Sequence, residues 1–396
     1  MPMNRRALLG SALAAGALAG LPARAQAARW QMATPYPDAN FHTVNIRAFL
    51  KEIEGSVAVT LHSNASLLKM PEIKRGVQTG QVQMGEILLS AYGNEDPMFE
   101  VDGIPMLVTS FTQARVLAGL QRPFVQARLQ RQGITLLYMV PWPQSGFYTN
   151  EKLTSLDGLK GTKFRTFNAA TQRFAQLVGA TPTLVQAAEV PQAFATGVVN
   201  AMVTSAATGV DSQAWDFVKH FTPVGFTRTK NAVFCSTRAL NALPAEAQSL
   251  LRDAAERAEQ RGWDLAQEQE RLRQEELARH GMVVTDPPSA QLMADLEKVG
   301  ATMVDEWLAK AGADGKRLID SYRELLWQSE FLHRSLSGSR YDATGRVPLA
   351  KEQSGLYSEV VWRFDWQWRA GARLDLLTRN DTWDNQTLQT AAAWRP

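Results

Sequence analysis

Pro71-Glu72-Ile73-Lys74-Arg75-Gly76-Val77-Gln78-Thr79-Gly80-Gln81-Val82-Gln83-Met84-Gly85-Glu86-Ile87-Leu88-Leu89 is the stretch on which the fold turns. A proline at the first helical position and a glycine just past the last bracket a helix over residues 71–79. The apolar run from Val82 to Leu89 then reads as a buried strand. Working back from it, Val57 to His62 alternates as a strand, and Asp38 or Asn40 can cap a helix through Glu54, closed by Gly55. Arg29 to Thr34 is a further strand, ending in Pro35-Tyr36-Pro37. Strand-helix-strand-helix-strand predicts α/β architecture, a mostly parallel sheet with helices on its faces.

Working forward, the pattern recurs. Pro191 to Thr196 reads as a helix, Gly197 stops it, and Val198 to Val203 is a strand. Between the two copies lie a strand from Ile134 to Val140, ending in Pro141-Trp142-Pro143, and a strand through Phe164-Arg165. A helix from Asn168 to Val178 follows. The reading is two similar α/β lobes facing a cleft. Ligands in such sheets sit beyond the carboxyl ends of the strands. That rule gathers Glu86 from one lobe and Thr204 and Ser205 from the other, with Tyr36, Trp142 and Arg165 near the same space. Arg165 is the best single candidate. It ends a strand and precedes a helix start, with Thr166 and Asn168 as capping residues, and a guanidinium there suits a carboxylate. The plainer alternative is a surface arginine paired to an acidic neighbour.

Pro244 to His280 is a long helical stretch stopped by Gly281. Leu251, Ala258, Leu265 and Leu272 recur every seven residues, but the stripe is narrow, so one long helix is preferred to a coiled coil. At ~1.5 Å per residue it spans roughly 55 Å, enough to cross both lobes. A second helical segment covers residues 289–311. Residues 324–396 hold six of the 11 tryptophans, Trp327, Trp362, Trp366, Trp368, Trp383 and Trp394. The segment from Val360 to Trp368 can alternate as a strand. A packed appendage or an aromatic dimer patch is one reading of this tail, and a poorly ordered extension outside the main function is the plainer one. At the other end, Arg5 and Arg6, the uncharged run Ala7 to Leu21 and the small-residue sites Ala23-Arg24-Ala25 and Ala25-Gln26-Ala27 make a three-part export signal over residues 1–27. The paired arginines suit a twin-arginine route as well as the general one.

Composition narrows the function classes. Forty-two Lys and Arg against 39 Asp and Glu leave a net charge of +3, too small a surplus for a dedicated nucleic-acid binder. Cys235 is the single cysteine, which excludes an intramolecular disulfide. It follows Ala232-Val233-Phe234 and reads as an inert core thiol. The five histidines, His42, His62, His220, His280 and His333, make no close ligand pair, so neither a zinc site nor any other cofactor is expected. A Gly-x-Ser-x-Gly elbow, a P-loop and a dinucleotide fingerprint are all missing from the sequence. These absences argue against an enzyme.

Longer stretches resemble a family. Leu156-Asp157-Gly158-Leu159-Lys160-Gly161-Thr162-Lys163-Phe164-Arg165-Thr166 and Glu189-Val190-Pro191-Gln192-Ala193-Phe194-Ala195-Thr196-Gly197-Val198-Val199-Asn200-Ala201 are similar to segments of the solute-binding subunits of tripartite ATP-independent periplasmic transporters, the DctP family. Phe99-Glu100-Val101-Asp102-Gly103-Ile104-Pro105-Met106-Leu107 and Leu243-Pro244-Ala245-Glu246 add to the match, which runs from about Trp30 to Arg323. The resemblance implies a two-lobe periplasmic-binding-protein fold, type II-like, with a long helix bridging the lobes. Lobe I would comprise residues 28–145 and 232–277, and lobe II residues 146–231 and 278–323. It implies a periplasmic receptor that closes on an organic acid and hands it to integral-membrane permease subunits. Arg165 falls on the family's carboxylate-binding arginine. Tyr148, Trp142, Thr204, Ser205, Glu86, His42, Tyr36 and Asn168 complete the expected site. A receptor serving a sensor system and a periplasmic enzyme are the alternatives. Two departures leave the ligand open. Gln144-Ser145-Gly146-Phe147-Tyr148 stands where many relatives carry a second arginine, and Val203-Thr204-Ser205-Ala206 where many carry Glu-Asn-Pro. Glu86 near the cleft would repel a second carboxylate, so a monocarboxylate with hydroxyl, keto or amino groups is expected over a dicarboxylate.

Overall fold

The structure, a computed structural model, describes residues 28–328 and the strands of a C-terminal sheet. The export signal at residues 1–27 lies outside the described residues.

The chain opens as expected with β1 (Ala28–Ala33), α1 (Phe41–Ile53), β2 (Val57–His62), α2 (Met70–Thr79) and β3 (Met84–Leu88). β1 pairs in parallel with both β2 and β3. Asn40 caps α1 by accepting from the His42 amide, while Asp38 pairs with Arg47 instead. Gly80 ends α2 at φ 81°, a left-handed conformation that suits glycine. Next come α3 (Phe111–Arg131), which the sequence reading left unassigned, and β4 (Ile134–Pro141). The second sheet is built from β5 (Ser145–Thr149), β6 (Lys163–Thr166), α4 (Ala169–Leu177), β7 (Thr181–Leu184), α5 (Val190–Ala195), β8 (Ala201–Ser205), α6 (Ala206–Asp211) and β9 (His220–Pro223). The chain then returns as β10 (Lys230–Ser236), antiparallel between β3 and β4. α7 (Thr237–Asn241), α8 (Ala245–Arg279), β11 (Val283–Val284) and α9 (Ala290–Gln328) complete the body. One sheet has the order β2-β1-β3-β10-β4 and the other β11-β9-β5-β8-β6-β7. The fold is mixed α/β with two lobes.

α8 is one continuous helix of 35 residues. It lies on α1 and β4 of the first lobe and on α6 of the second. Asn45 Nδ2 donates to Ala258 O at 2.8 Å and Trp263 Nε1 to Met139 O at 3.0 Å. At Gly262 the approach is so close that a side chain would run into Val140 and Asn45. α9 departs from the expected boundaries. Non-helical Gly312 (φ 59°, ψ −142°) interrupts it. Before the break Asp295 and Glu306 bond Leu156 N and Arg173 of the second lobe; beyond it Asp314 bonds Arg128 of the first. Residues 278–323 therefore serve both lobes, not the second alone. Lys230 and Asn231 belong to β10 in the first sheet, so the second lobe gives up its last two expected residues.

The tail carries β12 (Leu332–Asp342), β13 (Gly345–Asp365), β14 (Trp368–Arg379) and β15 (Gln389–Ala391), an antiparallel sheet in that order. The segment from Val360 to Trp368 is not one strand, because β13 ends at Asp365 and β14 begins at Trp368. Trp366, Trp383 and Trp394 lie outside the described residues.

Two short crossings join the sheets, residues 142–144 after β4 and residues 224–229 before β10. One carboxylate on α8 holds both. Glu270 accepts from Gln144 N at 2.9 Å and Gln144 Nε2 at 3.2 Å, and from Arg228 at 2.5 and 3.2 Å. Arg228 also stacks over Phe111, 4.3 Å from the ring centre.

Candidate binding site

A cavity of about 190 Å³ lies between the lobes, at the carboxyl ends of β3, β6 and β8. Pro35, Tyr36, Lys69, Met70 and Leu88 line it from the first lobe, and Arg165, Phe167, residues 186–189, Thr204, Ser205 and Thr208 from the second. Trp142 and Thr229 line it from the crossings, and Ser145 from the start of β5. Polar contacts between the lobes surround it. Lys69 Nζ meets Glu189 Oε1 at 3.0 Å, Asn40 Nδ2 donates to Asp211 Oδ2 at 2.6 Å, and Asn168 Nδ2 donates to Ser90 Oγ at 3.0 Å. The lobes are closed over the cavity.

Arg165 sits at the end of β6, only 3% exposed. Its Nε donates to Val185 O at 2.9 Å and its guanidinium lies 5.1 Å from the centre of the Phe167 ring. Among the described residues no acidic side chain lies within ion-pair distance of it. Burial pushes its pKa down to about 10, the mark of a charge stripped of water and given no counter-ion. Next to it, Asn168 caps α4 by accepting from Thr171 N at 2.8 Å. Thr204 is the next-to-last residue of β8, and Ser205, its last, caps α6 by accepting from Thr208 N at 3.2 Å.

Of the residues expected at the site, Arg165, Tyr36, Trp142, Thr204 and Ser205 line the cavity. Four others stand behind the lining. Tyr148 is fully buried in the second lobe against Phe221, and its hydroxyl donates to Ser205 O at 3.1 Å. Asn168 is occupied as a cap and as the partner of Ser90. Glu86 is 1% exposed and accepts from Thr34 Oγ1 at 2.5 Å and Asn231 Nδ2 at 2.9 Å. Its pKa is raised to about 7, burial outweighing those two hydrogen bonds. His42 packs against Tyr36, Phe41 and Trp142, with Nδ1 3.5 Å from Glu86 Oε1, and burial holds its pKa well below the usual 6.5. β3 is buried along its whole length, so alternation along it does not say which side chains meet the cleft.

The sequence reading missed Lys69, Phe167, Glu189, Ser145, Thr208 and Thr229. Lys69 and Glu189 flank the two recurring helices as the residues before Met70 and Val190, a shared position that could have marked them. Ser145 and Thr229 carry no local signal, because the return of β10 brings them together from distant parts of the chain.

What the cavity offers is one unpaired buried cation, an apolar wall of Tyr36, Trp142, Leu88 and Phe167, and hydroxyls from Ser145, Thr204, Ser205, Thr208 and Thr229. No histidine or cysteine lines it. Among the described residues no cluster of His, Cys, Asp or Glu could hold a metal ion, and no helix is long and apolar enough to cross a membrane. Cys235 is buried in β10, its thiol pushed up to about 12.

Comparison with known proteins agrees with this arrangement. Residues 43–309 match the family described as bacterial extracellular solute-binding protein, family 7, DctP. The crystal structure of DctP7, a Bordetella pertussis extracytoplasmic solute receptor binding pyroglutamic acid, is 48% identical with a TM-score of 0.74, covering 75% of this chain and 100% of that one. DctP6 of the same organism, also binding pyroglutamic acid, is 42% identical with a TM-score of 0.73, covering 75% and 99%. The C4-dicarboxylate-binding periplasmic protein DctP of Rhodobacter capsulatus is 25% identical over 67% of this chain and 80% of its own. An uncharacterized protein of Aquifex aeolicus is 46% identical over 66 residues, a local match in which this chain spans only 14% of that protein.

Proposed function

Because the chain belongs to family 7 of the bacterial extracellular solute-binding proteins, we propose that its cavity captures a small ring monocarboxylate of the pyroglutamate kind outside the cytoplasmic membrane. The bound acid is handed to the membrane subunits of a tripartite ATP-independent transporter. The observation that carries this is Arg165, a buried guanidinium with no carboxylate of its own. A ligand carboxylate supplies the missing charge, and the planar fork meets both of its oxygens. Lys69 is the other cation in the lining, and Glu189 already occupies it. A second ligand carboxylate therefore finds no free cation in the lining, which favours a monocarboxylate. The aromatic wall suits a flat ring, and the serine and threonine hydroxyls suit the N–H and C=O of a lactam. The 42–48% identity to two pyroglutamate-binding receptors supports the same ligand class.

The protein acts by binding alone. Closure about the crossings removes water from the carboxylate, which strengthens its pairing with Arg165. Opening releases the acid unchanged. Titration calorimetry with L-pyroglutamate, succinate and malate tests the reading. Pyroglutamate should bind at least a hundredfold more tightly than either dicarboxylate. Tight succinate binding without detectable pyroglutamate binding would overturn it.

A further inference from the structure

Tyr36 and Trp142 form one wall of the cavity, their ring centres 5.0 Å apart and their planes at 62°. Their polar ends meet at one atom. Trp142 Nε1 donates to Asn231 Oδ1 at 2.8 Å, and the Tyr36 hydroxyl donates to the same oxygen at 3.4 Å. An indole N–H can only donate and a carboxylate can only accept. The amide between Trp142 and Glu86 therefore has one workable orientation, oxygen toward the indole and nitrogen toward Glu86 Oε1. Turned over, it would set N–H against N–H and oxygen against oxygen. Glu86 is held in turn by Thr34 through its other oxygen.

We propose that Glu86 is a positioning residue for the ligand cavity: by orienting the Asn231 amide it fixes the Tyr36–Trp142 wall at the spacing that a flat ring requires. A buried acid without a cation is costly, and here Glu86 Oε1 accepts from the amide whether the carboxyl is ionised or carries its proton on Oε2, beside Thr34. The titratable groups that face it are His42 from α1, Tyr36 after β1 and Tyr138 of β4. Burial keeps His42 neutral and both tyrosines protonated. Arg165 acts on Tyr36 as a nearby positive charge and forms no ion pair with Glu86.

The inference rests on the ring-acid reading above, and its test separates the two. Protein labelled with 5-fluorotryptophan gives a fluorine resonance for Trp142, assigned by its loss in Trp142→Phe. In ligand-free Glu86→Leu that resonance should move or split, and L-pyroglutamate affinity should fall at least tenfold. Glu86→Gln keeps an acceptor for Asn231 and should restore both, with affinity within threefold of the parent. Asn231→Asp keeps the shape but loses the donor, so two carboxylates face each other. Relative to the parent its affinity should be lowest at pH 8 and recover at pH 5, where one proton replaces the amide hydrogen. A folded Glu86→Leu with an unmoved resonance and affinity within threefold overturns the proposal. So does an Asn231→Asp variant whose affinity relative to the parent is independent of pH, and this arm decides if Glu86→Leu does not fold. If the parent does not bind pyroglutamate, the ligand reading fails, and the ligand-free resonance still decides the role of Glu86.

Discussion

Replacing Arg165 by alanine tests the anchor, because ligand binding should collapse while the stability of the ligand-free protein stays close to the parent's. With the lobes closed and no ligand present the guanidinium is charged yet buried, and burial lowers its pKa to about 10. At 1.36 kcal/mol per unit, that shift is an unfavourable contribution on the order of 3 kcal/mol at neutral pH, recovered only as pH rises past the folded pKa. Removing the arginine relieves it but leaves Val185 O without its donor, a loss of about 1–3 kcal/mol. The two nearly cancel, so Arg165→Ala should fold with stability close to the parent's. Binding should collapse. Truncating one partner of a buried charge pair costs about 2–5 kcal/mol, which is roughly a 30- to 4000-fold weaker Kd. Arg165→Lys should recover only part, since it keeps the charge but not the fork. The assay is titration calorimetry with L-pyroglutamate, with urea melts of the ligand-free proteins alongside. Folded Arg165→Ala that binds within threefold of the parent would refute the assignment.

Other expectations follow from the polar contacts. Glu86 and Asp211 have pKa values raised by burial to about 7 and about 6, so their stabilising contribution is complete below the unfolded values and fades as pH rises through the folded ones. Ligand-free stability should therefore fall between pH 5 and pH 8, and Glu86→Gln should remove about 3 kcal/mol of that fall in urea melts; equal slopes in parent and variant would contradict this. Lys69 and Glu189 are 68% and 49% exposed, so Glu189→Gln should change affinity less than about fivefold, with an effect that vanishes in high salt; stopped-flow dissociation at two salt concentrations reads it. Glu270→Gln strands Arg228, which is 4% exposed, and should lower stability by about 3 kcal/mol, against a prediction of no change if the contact were ornamental.

What could be read from the sequence was the part written in local chemistry. Asn40 and Asn168 as caps, Gly80 and Gly197 as stops and the uninterrupted α8 all follow from residues within a turn or two of each other. The position of Arg165 in the cavity lining was legible for the same reason, because it lies between a strand end and a helix cap. α3 was not, because Pro123 inside it reads as a breaker although its apolar stripe at Ala114, Leu117, Ala118, Val125 and Leu129 is intact. β8 begins at Ala201, later than expected, because Val198 and Val199 both turn back to bond Ala193 O. Glu86 was placed at the cleft because it lies near the carboxyl end of its strand, a rule that locates the cleft but does not say which side chains of a strand buried along its whole length reach it. Asn231, which explains where the Glu86 carboxylate goes, comes from a strand that returns 145 residues later.

Both chain crossings are tied to α8 at the same carboxylate, Glu270. Glu270 thus gathers the two crossings at one point on α8, while α8 runs on into β11 of the second sheet and α9 bonds both lobes. If the lobes open about that point, a probe pair at Gln144 and Glu270 should move little, and one across Lys69 and Glu189 should move most. A membrane partner that grips both lobes could therefore sense occupancy from the gap at the rim, without touching the acid inside.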